Sequence, residues 1–272
     1  RLTDWLPTTK KEVELRGWDE LDVILFSGDA YVDHPSFGAA VIGRILEAEG
    51  LRVAIVPQPN WRDDLRDFRK LGRPRLFFGI SAGCMDSMVN KYTANKRLRS
   101  DDAYTPDGRP DMRPEYPSIV YTQILKKLYP DVPVVLGGIE ASMRRLSHYD
   151  YWQDRLKKSI LCESGADMLI YGMGEKPICE LVRRLTALCD NQDGVISSSD
   201  IHSPALSSIP QTAYLTRKYE SDENDITLYS HEECLADKKK QATNFRHIEE
   251  ESNKYAAARI VQAVDGKTVV VN

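Results

Sequence analysis

The sequence lacks the short motifs by which many nucleotide-binding and hydrolytic enzymes are recognised. It contains no GxGxxG, no Walker loop and no GxSxG. Its five cysteines include no CxxC or CxxxC spacing, and their number is odd. That pattern predicts reduced thiols in the cytoplasm and argues against a disulfide framework. Without clustered ligands, a zinc or iron–sulfur site built from this chain alone is not expected.

Long apolar runs and a strong charge of one sign are also missing. No run approaches the roughly 20 residues that span a bilayer, and no signal segment opens the chain. Because Arg1 is an unusual first residue, we expect the sequence to be part of a longer protein. With 37 basic and 41 acidic side chains the net charge is −4, which gives no global electrostatic reason to expect nucleic acid as a partner.

The clearest positive signal is a strand, a polar loop and a helix near the start of the chain. Residues 23–26 form a short apolar run without helical period, stopped by Ser27 and Gly28, which predicts a strand buried on both faces. The loop 29–36 is polar, and after it the apolar residues fall three and four apart up to Gly50, which predicts a helix. These elements form the first half of a βαβ unit.

The same layout recurs along the chain and predicts an α/β fold. Strands are expected at residues 51–56, 75–81, 132–136 and 167–171, with helices between them. Short links between strand and helix indicate an open, doubly wound, mostly parallel, Rossmann-like sheet. We predict this domain over residues 1–218 and a helical extension over 219–272. Smaller predictions are a linker or surface loop at 190–208 and a strand at 211–218 lying at an edge. Helix is expected over 237–264, with Asn253 as a candidate break, and a last strand at 267–271.

Polar residues and glycines follow four of the predicted strands. Ligands of parallel sheets collect at the carboxyl ends of the strands, so these residues are the candidate site. Alternative interpretations remain: a histidine that makes a structural hydrogen bond, glycines that serve tight turns, and a glutamate that stabilises a helix dipole. The candidates are Asp29, Asp33, His34, Gly83, Asp86, Gly138, Glu140, Gly172, Gly174 and Glu175.

Two further stretches carry open alternatives. Residues 91–117 are polar and contain four prolines, which is typical of a solvated loop or of a lid over the strand ends. The basic residues 96–99 leave nucleic-acid recognition as a third hypothesis, which predicts binding that weakens steeply with salt. Residues 146–152 are rich in aromatic side chains beside two arginines, which indicates either a cover for a helix end or a docking surface for a second domain.

Four segments together resemble the amino-terminal region of the YgiQ-type radical-SAM proteins, a bacterial family whose physiological reaction is uncharacterised. They are Gly28–Gly38, Leu136–Ser142, His148–Trp152 and Asp167–Glu175, and the resemblance extends from Leu6 to Asn272. It implies that the parent protein is a radical-SAM enzyme in which this chain is an accessory domain beside the catalytic barrel of the same polypeptide. The alternative is a non-catalytic module whose strand ends bind a partner protein, cobalamin or a small anionic ligand.

The resemblance also implies cofactors for the parent protein. In that family a CxxxCxxC motif in the next domain binds a [4Fe–4S] cluster on which S-adenosylmethionine is cleaved. The motif is absent from this sequence, so the chain alone is expected to have no radical activity. The chain is also similar to cobalamin-binding Rossmann domains, but the DxHxxG signature is not met because Asp33 and His34 are adjacent and Gly38 follows the histidine by four residues.

Overall fold

A nine-stranded sheet forms the centre of the molecule in the computed structural model, which describes residues 4–190, 194, 196–220 and 222–272. The strand order is β2-β1-β3-β4-β7-β8-β11-β10-β9, and β5 and β6 form a separate hairpin. The strands are β1 Val23–Ser27, β2 Val53–Pro57, β3 Phe77–Ser81, β4 Val134–Gly137, β5 His148–Asp150, β6 Arg155–Lys157, β7 Met168–Ile170, β8 Thr212–Thr216, β9 Ile226–Thr227, β10 Ile260–Val264 and β11 Lys267–Val271.

The first half of the sheet is parallel and buried on both faces. β1 pairs in parallel with β2 and β3, and β4 pairs in parallel with β3 and β7. All five residues of β1 are buried, as expected for an apolar run covered by helices on both sides. The predicted α/β class with an open, mostly parallel sheet is confirmed.

Two layers of helices cover the sheet. On one face α2 and α8 pack against a core that includes Leu25, Phe77 and Leu181. On the other face α5 and α7 pack against a core that includes Phe78 and Leu169. The helices are α1 Lys10–Leu15, α2 Gly38–Ala48, α3 Arg66–Arg69, α4 Ser87–Lys91, α5 Pro117–Leu128, α6 Gly138–Met143, α7 Ile160–Ser164, α8 Glu175–Asp190, α9 Ser198–Ile201, α10 Pro204–Ser207, α11 His231–Ala236 and α12 Lys238–Ser252, with a 3₁₀ turn at Pro106–Gly108.

The C-terminal strands extend the sheet with mixed pairing. The strand predicted at 211–218 is present as β8, but its predicted place at an edge was wrong, because β8 lies between β7 and β11 and pairs antiparallel with both. The helix predicted over 237–264 does stop at the candidate break, because α12 ends at Ser252 with Asn253 as its C-cap. The prediction of helix beyond that break was wrong, because residues 260–264 form β10. The apolar side chains Ile260, Val261 and Val264 are buried there by sheet packing.

Segments predicted as loops are also largely structured. Of the predicted linker, residues 191–193 and 195 lie outside the described residues, and α9 and α10 occupy part of the rest. The aromatic stretch 146–152 contains β5 and part of the turn to β6, a hairpin that the sequence did not predict. In the described part of the chain, no helix has the length and apolar composition to cross a membrane.

Candidate functional site

A cleft opens at the carboxyl ends of the parallel strands, on the face covered by α2 and α8. Its volume is about 300 Å3, and its floor is made by β1, β3, β4 and β7. The walls come from α2, including Ile42, and from the start of α8, including Ile178. The lining is mostly apolar, as in sites that bind small organic ligands. Glu175 is the charged residue of this lining.

A missing side chain on β4 helps to create the space above the floor, whereas the space beside the glycine of β3 is filled. Gly79 lies in the sheet beside Leu25 of β1 and Val135 of β4, and Leu25 already occupies the space that a Cβ would need. Gly137 lines the cleft two residues after Val135, so the strand alternation puts both on the same face. The backbone of Gly137 is extended, with φ −151°, and a Cβ on this residue would have the Ile170 oxygen as its nearest heavy atom, at 4.0 Å.

Four of the predicted site residues line the cleft, namely Gly138, Gly172, Gly174 and Glu175. Gly138 has a φ of +83°, and a Cβ there would lie 2.7 Å from the Ser81 hydroxyl, so glycine is required for two reasons. Gly172 also has a positive φ, and its N–H donates to the Ser142 hydroxyl. Glu175 is the first residue of α8, where a negative charge is favoured by the helix dipole.

Asp29 lies in a buried ion-pair network next to the cleft. Arg113, only 1% exposed, donates to Asp29 Oδ1 at 2.8 Å and to Asp102 Oδ2 at 2.9 Å. Asp29 Oδ2 accepts from the Cys84 N–H at 2.6 Å. A Cβ on Gly83 would lie 2.1 Å from Asp29 Oδ1, so Gly83 allows this close approach. Both oxygens of Asp29 therefore have protein partners, and the network joins the loops after β1 and β3.

Asp86 and Glu140 also bind protein groups. Asp86 caps α4 by accepting from the Met88 N–H at 3.0 Å, and its other oxygen pairs with Arg144. Glu140 is fully buried and accepts from the backbone N–H groups of Ser87 and Ser118, each at 3.1 Å. These carboxylates fix the starts of α4 and α5 close to the strand ends.

Asp33 and His34 lie on the loop that forms one side of the cleft mouth, just before the lining residues 35 and 36. Arg44 donates to Asp33, and this hydrogen bond lowers the pKa of the Asp33 carboxyl. His34 is exposed, and its Nδ1 accepts from the Ser36 N–H at 3.1 Å. An imidazole that accepts a hydrogen bond at Nδ1 carries its proton on Nε2. The adjacent Asp33 pairs with Arg44 and not with His34.

The metal and cobalt centres of radical-SAM and cobalamin proteins do not fit these residues. In the part of the chain that the structure describes, no group of three His, Cys, Asp or Glu side chains is placed to hold a metal ion, and the cysteines are separate. A histidine that ligates a metal usually donates its other ring N–H to an acceptor. His34 does the opposite, because its Nδ1 accepts.

Exposed apolar side chains lie on the same edge of the sheet as the cleft. Met173 is 75% exposed between β7 and α8. Tyr255 is fully exposed in the segment before β10, whose first residue pairs with Val271 at this edge. β11 runs toward the edge, and its following residue, Asn272, accepts from the Tyr171 hydroxyl at 2.5 Å. Other exposed apolar residues here are Val32, Val89, Ile139 and Met143.

Residues 91–117 cover the end of β1 and do not line the cleft. The Ala30 N–H donates to the Tyr104 oxygen at 2.9 Å, and the rings of Phe37 and Tyr104 meet edge to face. Tyr92 packs on Trp152 at the tip of the hairpin of β5 and β6. The segment therefore joins the loop after β1 to this hairpin.

Sequence reasoning missed two kinds of residue. Gly79 interrupts an apolar run, and a glycine inside a strand pattern is a usable signal that a neighbouring group approaches closely, as Leu25 does here. Arg113 gave no signal, because its partner Asp29 lies 84 residues away in the chain.

Comparison with known proteins identifies the family. A model described as "Radical SAM N-terminal" matches residues 5–272. The chain belongs to this family. It is 80% identical to a UPF0313 protein of Bacteroides thetaiotaomicron over its whole length, which is 44% of that protein. It is 56% identical to the UPF0313 protein YgiQ of Escherichia coli over 66% of this chain, so the resemblance to YgiQ-type proteins is confirmed. The chain therefore spans less than half the length of these two relatives.

Proposed function

We propose that this chain is the accessory domain of a radical-SAM enzyme and that its cleft forms one wall of a chamber closed by the catalytic barrel of the same polypeptide. The main support for this proposal is that the cleft, the exposed apolar side chains and the end of β11 lie on one edge of the sheet. In the parent protein, a [4Fe–4S] cluster and S-adenosylmethionine bound by the barrel would supply the radical.

The exposed edge supports docking of a further domain. A segment that continues from Asn272 in the longer relatives would start beside Tyr171, next to the cleft. Burying a large apolar side chain such as Met173 stabilises an interface by about 1.5–3 kcal/mol. In this proposal Gly138, Gly172, Gly174 and Glu175 contact the enclosed substrate.

The remaining candidate residues shape the chamber without contacting its contents. Asp33 and His34 flank the mouth of the cleft, on the loop that leads into α2. The others hold the loops after β1, β3 and β4 through the contacts described above. They are Asp29, Gly83, Asp86 and Glu140.

The second candidate function is a non-catalytic module that binds a small ligand in the cleft. The mostly apolar space of about 300 Å3 favours it, since this is the lower end of the size range of small-molecule sites. Cobalamin with His34 as its lower ligand is disfavoured, because Nδ1 of this histidine accepts a hydrogen bond from Ser36. This candidate requires ligand binding without cleavage of S-adenosylmethionine.

The test uses the full-length protein, reconstituted anaerobically with iron and sulfide and given S-adenosylmethionine with dithionite as electron donor. We expect cluster absorbance and formation of 5′-deoxyadenosine. Gly137→Leu fills the cleft from an extended backbone position with open space above it. We expect this variant to keep the cluster and to lower turnover of the added or co-purifying substrate by about tenfold or more.

A second variant pair tests docking. Met173→Asp places a charge on the exposed edge, and Leu235→Asp is its matched control, because Leu235 is also exposed but lies on α11. α11 is at the opposite edge, where Glu232 accepts from the Asp265 N–H at the end of β10. We expect Met173→Asp to increase protease cleavage between the domains. A full-length protein without a cluster, or a Met173→Asp variant that behaves like Leu235→Asp, would overturn the proposal.

A further inference from the structure

A second cavity lies outside the cleft, between α4 and residues 91–117. Its volume is also about 300 Å3, and it shares no lining residue with the cleft. Asn90 and Lys91 line it from α4, and Arg99, Asp101 and Arg113 line it from the segment that follows. Unlike the cleft, this cavity is lined by several charged side chains.

Most of these charges are paired within the protein. Lys91 Nζ lies 2.7 Å from Asp111 Oδ1, and Arg113 binds Asp102 at 2.9 Å. Arg99 and Asp101 differ from them. Among the described residues, Arg99 has no carboxylate within 4.0 Å and donates its Nε–H to the Val89 oxygen, while the Asp101 carboxylate accepts only from the Ser100 hydroxyl. One positive and one negative group therefore face the same cavity without an oppositely charged protein partner.

Asn90 gives an independent observation that points to a ligand. The residue is only 8% exposed and lines the cavity, yet its side-chain amide makes no hydrogen bond to any described residue. Its amide atoms are not among the fully buried unpaired atoms of the described residues, so they reach the open space of the cavity and are free to bind a molecule there. The amide can donate and accept, so it matches an uncharged polar group.

We propose that this cavity binds a free α-amino acid with an uncharged polar side chain. Arg99 binds the carboxylate, Asp101 binds the ammonium group, and the amide of Asn90 binds the polar side chain. A guanidinium and a carboxylate that face one small space complement a zwitterion, whereas a simple anion or cation would leave one of them unmatched. The cavity is large enough for such a molecule.

The test is isothermal titration calorimetry of the full-length protein with L-glutamine, L-asparagine, L-serine and L-threonine. We expect saturable binding of at least one of them. Arg99→Gln and Asp101→Asn should each weaken it about tenfold or more, because each removes a charge-assisted hydrogen bond. Arg97→Gln is the matched control, since Arg97 is exposed in the same segment but does not line the cavity. Melting temperatures of all variants check folding.

Ligand analogues show which group each residue binds. Glutaramate is L-glutamine without the amine, and 4-aminobutanamide is L-glutamine without the carboxylate. If Asp101 binds the ammonium group, Asp101→Asn should not weaken glutaramate binding further, and Arg99→Gln should not weaken 4-aminobutanamide binding further. No saturable heat with any of the four amino acids overturns the proposal. Equal weakening by Arg97→Gln also overturns it, and so does glutaramate binding as tight as L-glutamine binding where L-glutamine is one of the amino acids that bind.

Discussion

Buried charged side chains hold the region between α5 and the hairpin of β5 and β6. The Tyr116 hydroxyl donates to Asp150 at 2.6 Å, and Lys157 lies 4.4 Å from the centre of the Tyr116 ring. Arg144 lies over the same ring. His148 is at the base of this cluster, where its Nε2 is buried without a partner among the described residues. A charge on His148 would therefore be poorly solvated and close to two cations.

The pKa of His148 provides a prediction at the scale of this residue. Burial first, and then the positive charges of Arg144 and Lys157, lower it from 6.5 to about 4. Between those values the unfolded chain binds a proton that the folded chain does not, so stability falls as the pH drops from 6.5 toward 4. Between pH 7 and pH 5 the loss from this group is about 2 kcal/mol.

His148→Asn removes this contribution and can still donate to the Leu146 oxygen, which His148 Nδ1 contacts at 3.0 Å. Urea unfolding at pH 7 and pH 5 measures the free energy of unfolding of both proteins. The variant should lose about 2 kcal/mol less on acidification than the wild type. Equal losses would show that His148 is solvated in the folded state.

At the scale of elements, the connection from β1 to α2 depends on one close backbone contact. The Gly28 N–H donates to the Ser81 oxygen at 3.0 Å, and a Cβ on Gly28 would lie 2.0 Å from the Ala82 oxygen. Gly38, ten residues later in the same connection, has no atom within 4 Å of such a Cβ. A side chain at Gly28 would therefore clash with the backbone, whereas a side chain at Gly38, the first residue of α2, would have free space around it.

Gly28→Ala should lower the free energy of unfolding by about 1–3 kcal/mol, because the loop after β3 must move away from β1. Gly38→Ala should raise it by about 0.4–1 kcal/mol, since alanine restricts the unfolded chain and fits the helix. Urea titrations of both variants at pH 7 provide the measurement. A Gly28→Ala variant as stable as Gly38→Ala would contradict the close contact.

The elements that sequence reasoning predicted are those specified by local patterns. β1 and α2 follow from a change of apolar period within residues 23–46, and the strand-end glycines follow from their position after apolar runs. The place of β8 could not be predicted in this way, because β11, its partner, lies more than 50 residues later. The same limit applies to the cleft, which four distant strands form together, and to the pairing of Arg113 with Asp29.

At the scale of the whole molecule, the C-terminal residues are part of the main sheet. β11 lies between β8 and β10, and its Val269 and Val271 belong to the same core as Ile24 and Phe78. The domain boundary after Lys218 predicted from the sequence stays a prediction. If the boundary is real, the parts before and after Lys218 unfold separately. If the two parts share one core, they unfold together in a single transition.

A chain cut after Lys218 separates these outcomes. The cut removes β11, so β8 is left with unpaired backbone groups along one side, and the buried side chains of β10 and β11 leave the core. We expect this shortened chain to lose cooperative urea unfolding and to aggregate. The matched control is a protease site inserted in the exposed segment 253–257, between α12 and β10. Cleavage there leaves every strand in place, so the two pieces should stay associated and unfold in one transition. If the shortened chain instead unfolds with the midpoint of the intact chain, the sheet contacts of β11 add little stability and Lys218 ends an independent domain.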